Sequence, residues 1–200
     1  MIRQQITRYC PRLLSLGVAS LLMLISNAAG AQPAAPPAAD EPKPEIAPRG
    51  QRSQVREIKY GDWRKFCFKT PGTKQVCRTT ISGNFETGQS AVRADLIEGG
   101  GKARLQFFLP VGMYLQAGVK LTVDQGKPHR IPYVWCLTNT CIAADVADPA
   151  LVREMESGKH LQLEVVDSSV LSVTTTLPLE QFAPVHQGAP TQTFEQATDE

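Results

Sequence analysis

The side chains in this sequence best suited to metal, redox or nucleophilic chemistry are five cysteines and three histidines. Their spacing argues against all three. A structural zinc site sets its ligands in pairs two to four residues apart. Here nine residues separate Cys67 from Cys77, and His129, His160 and His186 are scattered along the chain. Neither Cys67 and Cys77 nor Cys136 and Cys141 has the C-x-x-C spacing of a redox dithiol. No G-x-S-x-G elbow is present, the serines have no motif-linked histidine, and the Asp and Glu residues fall mostly at expected turns. The triple glycine Gly99 to Gly101 lacks the strand, spacing and following helix of a phosphate-binding loop, and reads as a turn. No catalytic residue, cofactor or metal site is therefore expected.

The cysteines make sense once the N-terminus is read as an export signal. Arg3, Arg8 and Arg12 precede an apolar run from Leu13 to Ile25, and Ala29-Gly30-Ala31 supplies a small-x-small cleavage pattern. Residues 1–31 are expected to be a signal peptide cleaved after the Ala29 and Ala31 pattern, the alternative being an uncleaved anchor. Cys10 leaves with it. Four cysteines in an exported chain predict two disulfides, for which three pairings are formally open. The strand reading favours Cys67 with Cys77 and Cys136 with Cys141, because each pair brackets a turn between or beside strands.

Cleavage removes three cations and no acid, leaving eighteen Lys and Arg against nineteen Asp and Glu. The charge is uneven. Arg49 to Arg78 carries nine cations against Glu57 and Asp62, whereas residues 140–200 carry two cations against ten acids. Arg64, Lys65, Lys69, Lys74 and Arg78 are thus candidates for contact with phosphates or acidic headgroups. The plainer alternative is a solvated strand edge guarded by cations against mispairing.

These residues need elements to position them. Residues 32–54 are rich in Pro and Ala and predict a disordered, polyproline-like spacer. Folding is expected over 55–186. Tyr60 to Phe68 reads as a first strand, Pro71-Gly72 as a turn, and Val76-Cys77 as the return strand; Ala91 to Ile97 and Arg104 to Leu109 follow as apolar-rich strands. Val119, Leu121 and Val123 alternate with polar residues, and Ile131, Tyr133 and Trp135 do the same up to Cys136, predicting one hairpin that ends at the cysteine pair. Trp63 and Trp135 are both expected in or at the edge of the core. One helix is expected, with Asp148 as N-cap, Pro149 at its first position, Leu151, Val152 and Met155 on one face, and Gly158 at its end. Two strands follow around Asp167 to Ser169, then a segment covering the core through Phe182. Residues 187–200 read as a disordered tail. The whole predicts an all-β antiparallel sandwich of about seven or eight strands with one short helix, the alternative being a partly open barrel.

One series of residues also points to a family. Gly61-Asp62-Trp63-x-x-x-Cys67 with Cys77, then Leu109-Pro110-x-Gly112-x-x-Leu115-x-x-Gly118-x-x-Leu121-x-Val123-Asp124, then Cys136 and Cys141, resembles the invasion-associated locus B family of alphaproteobacterial envelope proteins over about residues 58–184. The chain departs from the pattern at Thr140, where a glycine commonly precedes the last cysteine, and at Gln181-Phe182, in place of a closing Gly-Phe. The resemblance implies an exported periplasmic or outer-membrane-associated β protein, linked in pathogens to host-cell invasion, and it brings no catalytic residues. The expected role is non-enzymatic, with an envelope or host-surface protein as partner, no nucleic acid, and membrane association that is peripheral at most. The alternative is a periplasmic enzyme or accessory subunit acting on cell-wall or lipid substrates.

Overall fold

The computed structural model describes residues 48–50 and 57–195, all within one compact unit, Pro42–Glu200. The signal-peptide reading lies outside the described residues. So does most of the 32–54 stretch, but Arg49 N donates to the Val170 carbonyl and Gly50 O accepts from Ser172 N. That part of the expected spacer is therefore paired with the domain.

Twelve strands among the described residues form two sheets. The larger has the order β12-β2-β3-β4-β5-β9-β8, from Gln192–Glu195 (β12), Arg64–Lys69 (β2), Val76–Phe85 (β3), Ser90–Glu98 (β4), Arg104–Leu109 (β5), Cys141–Val146 (β9) and Tyr133–Cys136 (β8). Ile58–Tyr60 (β1) pairs with the far end of β3, so β1 and β2 follow the same edge of β3. The smaller sheet runs β11-β10-β6-β7, from Ser172–Pro178 (β11), His160–Val166 (β10), Val119–Val123 (β6) and His129–Ile131 (β7). Nothing closes into a barrel, and the two sheets form a β-sandwich.

Period-two alternation builds the core between them. The large sheet contributes Ile81, Leu96, Leu105 and Phe107, and the small sheet Leu121, Leu161, Leu163 and Leu177, all essentially buried. Each such side chain contributes about 1.5–3 kcal/mol of burial. The Tyr60 hydroxyl meets Thr175 Oγ1 at 2.6 Å, joining β1 of one sheet to β11 of the other.

The expected helix is Pro149–Ser157 (α1), with Asp148 Oδ1 accepting from Ala150 N at 2.8 Å and Leu151 and Met155 buried. Gly158 is needed there for space: its φ is −82°, but a Cβ would run into Val123 and lie 2.9 Å from the Glu154 carbonyl oxygen. A second helix, Phe182–Gln187 (α2), forms within the segment expected to cover the core, and Phe182 is fully buried.

Three expectations fail at strand level. The first strand, expected from Tyr60 to Phe68, is broken at residues 61–63 into β1 and β2. The alternating run from Val119 to Cys136 is not one hairpin. β6 and β7 pair, but after Pro132 the chain leaves the small sheet and β8 joins the large one beside β9. Nor is 187–200 wholly a tail, since Gln192–Glu195 pairs in parallel with β2, in register from Gln192 opposite Phe66 to Glu195 opposite Lys69. A polar four-residue segment carries no strand signal of its own; β2 supplies it with backbone partners.

Candidate functional site

The disulfides lie near the two edges of the large sheet. Cys67 and Cys77 are directly opposed across β2 and β3, and Cys136 and Cys141 across β8 and β9; both pairs are bonded. The Thr140 hydroxyl, at a position where the family pattern has glycine, donates to the Leu109 carbonyl at 3.0 Å.

Trp63 and Trp135 have opposite fates. Trp63 is 4% exposed; its Nε1 donates to the Pro178 carbonyl at 2.7 Å, and its ring meets Phe182 edge-on at 4.8 Å. Gln181, the other departure, is used here as well: its Oε1 accepts from Trp63 N and its Nε2 donates to Asp62. Trp135, expected in or at the edge of the core, is 65% exposed. A bulge is the cause. Tyr133 is opposite Ala143 but Trp135 is opposite Ile142, so Val134 is an extra residue that reverses the alternation.

That reversal places Trp135 on the outer face of the large sheet. Directly opposed residues share a face, so the registers fix what lies on it. One row across the sheet runs Trp135, Ile142, Phe108, Arg93, and a second Val146, Arg104, Ile97, Arg78, Phe66. Between them sits Asp95, whose side chain is only 2% exposed. Its carboxylate accepts from the Thr80 hydroxyl at 2.5 Å and is paired with Arg93 at 3.3 Å and Arg78 at 4.0 Å. Arg93 also stacks over Phe108, its guanidinium carbon 3.7 Å from the ring centroid, and Arg78 lies 5.9 Å from that of Phe68. Packed guanidinium groups and rings surround Asp95 on a face that no sheet among the described residues covers.

The five cations selected from the sequence are not brought together. Arg64 and Arg78 lie on this outer face. The Lys65 ammonium turns the other way, donating to the carbonyls of His186 at 2.6 Å and Gly188 at 3.1 Å. Lys69 has the inward parity of Cys67 at the strand end, and Lys74 lies in the turn before β3. The sequence reading missed Arg93, Asp95, Arg104 and Phe108. The signal available was Arg93 and Asp95 in the middle of an otherwise apolar strand and Arg104 at the start of the next, but it became a surface only through register.

A second polar cluster fastens the helices. His186 Nδ1 is 2.9 Å from Glu156 on α1, and Nε2 is 2.7 Å from Glu98 at the end of β4. Hydrogen bonds from Gln187 and then His186 hold the Glu156 carboxyl below its ordinary range. The two carboxylates take opposite edges of the ring rather than converging, and no group able to hold a metal ion occurs among the described residues. Burial pushes the Tyr60 and Tyr133 hydroxyls upward, Tyr60 against the opposing effect of its bond to Thr175.

A cleft of about 500 Å³ opens between the sheets, lined mainly by apolar residues including Leu109, Met113, Val165 and Val173. No His, Cys, Lys or Arg lines it. Its one carboxylate, Asp167, accepts from the Ser169 and Leu171 amides of its own turn. Among the described residues, no helix is long and apolar enough to cross a membrane.

Comparison with known proteins agrees with this architecture. A crystal structure of invasion associated protein B from Bartonella henselae is similar to this chain at a TM-score of 0.57 and 23% identity, covering 67% of this chain and 93% of that one. Invasion protein B homologues from two Brucella abortus strains, 2308 and biovar 1 strain 9-941, are each 26% identical over 115 residues, or 57% of this chain. The match spans 66% of the length of those relatives. The family model for the invasion associated locus B (IalB) protein matches residues 63–190, from the buried Trp63 through both disulfides to α2, and this chain therefore belongs to the invasion-associated locus B family.

Proposed function

We infer that this protein is an exported, non-enzymatic component of the cell envelope, periplasmic or outer-membrane-associated, that acts by binding a partner. The observation that carries the reading is the outer face of the large sheet, which no described sheet covers: exposed Trp135 stands in one row with Arg93, and exposed Val146 and Arg104 stand in the next with Arg78. Trp and Arg in one patch have the composition of a binding hot spot. Export is supported by the leader-like pattern of residues 1–31 and by the two disulfides, which fit an oxidising compartment. The names of the family and its relatives favour a link to invasion.

The cleft between the sheets supports a second reading, an envelope enzyme or accessory subunit. It is the weaker one, because the cleft lining offers no nucleophile paired with a base.

A photo-crosslinking residue placed at position 135, with cell fractions kept non-reducing, tests the first reading. The expected result is an envelope-fraction adduct that is lost when the label is moved to a buried position such as 163. Turnover in a hydrolase panel, with no adduct, would replace binding by catalysis.

A further inference from the structure

We propose that the outer face of the large sheet, together with the β8–β9 hairpin, docks on an anionic phospholipid bilayer. The inference rests on the reading of the chain as a binding protein and names the surface to which it binds.

Charge selects the partner. The outward positions of four consecutive strands carry Arg64, Arg78, Arg93 and Arg104, a patch about 15 Å wide at the usual strand spacing. The acid among them, Asp95, is buried and paired with two of the arginines. A second copy docking face to face would set arginines against arginines, whereas an anionic surface meets them all.

The apolar residues favour a bilayer over an acidic protein. Val134, Trp135 and Leu137 are 53%, 65% and 49% exposed and lie together on the hairpin at the edge of the patch, with Val146 on the neighbouring strand 54% exposed. An indole beside aliphatic side chains, in one row with Arg93 across Ile142 and Phe108, suits the boundary between headgroups and acyl chains. Capture of a partner strand by this edge is disfavoured. β8 has four residues, follows Pro132, contains a bulge and ends in a disulfide.

The test uses the chain from Gln32 onward. It retains the compact unit Pro42–Glu200 and leaves the apolar Leu13–Ile25 run out of the assay. Co-sedimentation is compared between vesicles of phosphatidylcholine alone and vesicles in which phosphatidylglycerol is mixed with it. Binding is expected to the mixed vesicles only, to collapse with added salt, and to come with a blue shift of tryptophan emission. Trp63 is already buried, so the shift reports Trp135 and should vanish in Trp135→Ala. Arg64→Gln with Arg104→Gln changes two exposed side chains and should weaken partition about fivefold per cation, or ~25-fold together.

Equal binding to both vesicle types, no binding, or partition unchanged by the arginine exchanges would overturn the proposal. If vesicles fail while the crosslinker at position 135 still captures a protein, the lipid assignment falls and the binding reading stands. If both fail, both fall.

Discussion

The two edges of the large sheet are built from the same parts and used in opposite ways. Each has a tryptophan in or next to a strand that a disulfide ties to its neighbour, β2 to β3 at one edge and β8 to β9 at the other. At the β2 edge, Trp63 points inward onto Phe182, α2 lies against it, and β12 covers the strand, with Phe194 stacked on Phe68 at 5.3 Å. At the β8 edge, no described strand continues the sheet and Trp135 stands in solvent. The difference comes from one extra residue, Val134, and one proline, Pro132. A disulfide next to a tryptophan therefore says where a strand is secured, not which way its aromatic side chain points.

The largest expected contrast is between the tryptophans. Trp63→Ala should cost about 3–5 kcal/mol in urea unfolding, and Trp135→Ala no more than about 0.5 kcal/mol. Equal losses would mean that the two edges are not distinct in the way described. The disulfides should differ less. Replacing Cys67 and Cys77 by alanine should cost about 3 kcal/mol, and replacing Cys136 and Cys141 about 2 kcal/mol, because the first closes the longer loop; reversal of that order would show the β8 hairpin to be the more important constraint. Phe194→Ala, which removes the stacked ring, should cost about 1 kcal/mol. Hydrogen exchange should accelerate at the β2 amides and stay unchanged at β9. Faster exchange in both would deny that β12 protects one edge alone.

The smallest effect is a pH dependence confined to the helices behind the β2 edge. The Glu156 carboxyl is held below its ordinary value in the folded state. It thus adds stability that is present above its unfolded value, near pH 4, and is lost as pH falls through its lower folded value. Glu156→Gln should flatten this part of the acid limb of a stability titration. An unchanged limb would remove the clamp from the account.

What could be read from the sequence depended on how local the cause was. The α1 boundaries follow from Asp148, Pro149 and Gly158, three residues within eleven positions. The inward faces of β6 and β10 follow from alternation of Val and Leu with polar residues. Trp135 defeated the same rule because a bulge shifts parity without marking the sequence. The parallel docking of β12 was invisible because Gln192–Glu195 obtains its hydrogen bonds from β2. The arginine face was the least legible feature. Its members come from β2, β3, β4 and β5, and only pairing registers place Arg104 opposite Ile97 and Ile97 opposite Arg78. The candidate cations chosen by closeness in sequence were split between two faces for the same reason.

The pairing of β12 with β2 also has a consequence for the order in which the chain can mature. The Thr191 amide bonds the Lys65 carbonyl, and the hydroxyl of Thr191 approaches the Lys65 amide, across 126 residues of chain. Closing so long a loop is slow compared with forming the β3–β4 or β10–β11 hairpins. Until the last strand arrives, β2 presents bare amides and carbonyls to any other extended chain. The interval between the emergence of β2 and that of β12 is thus the period in which a newly made molecule is most open to capture by a chaperone or by another copy of itself.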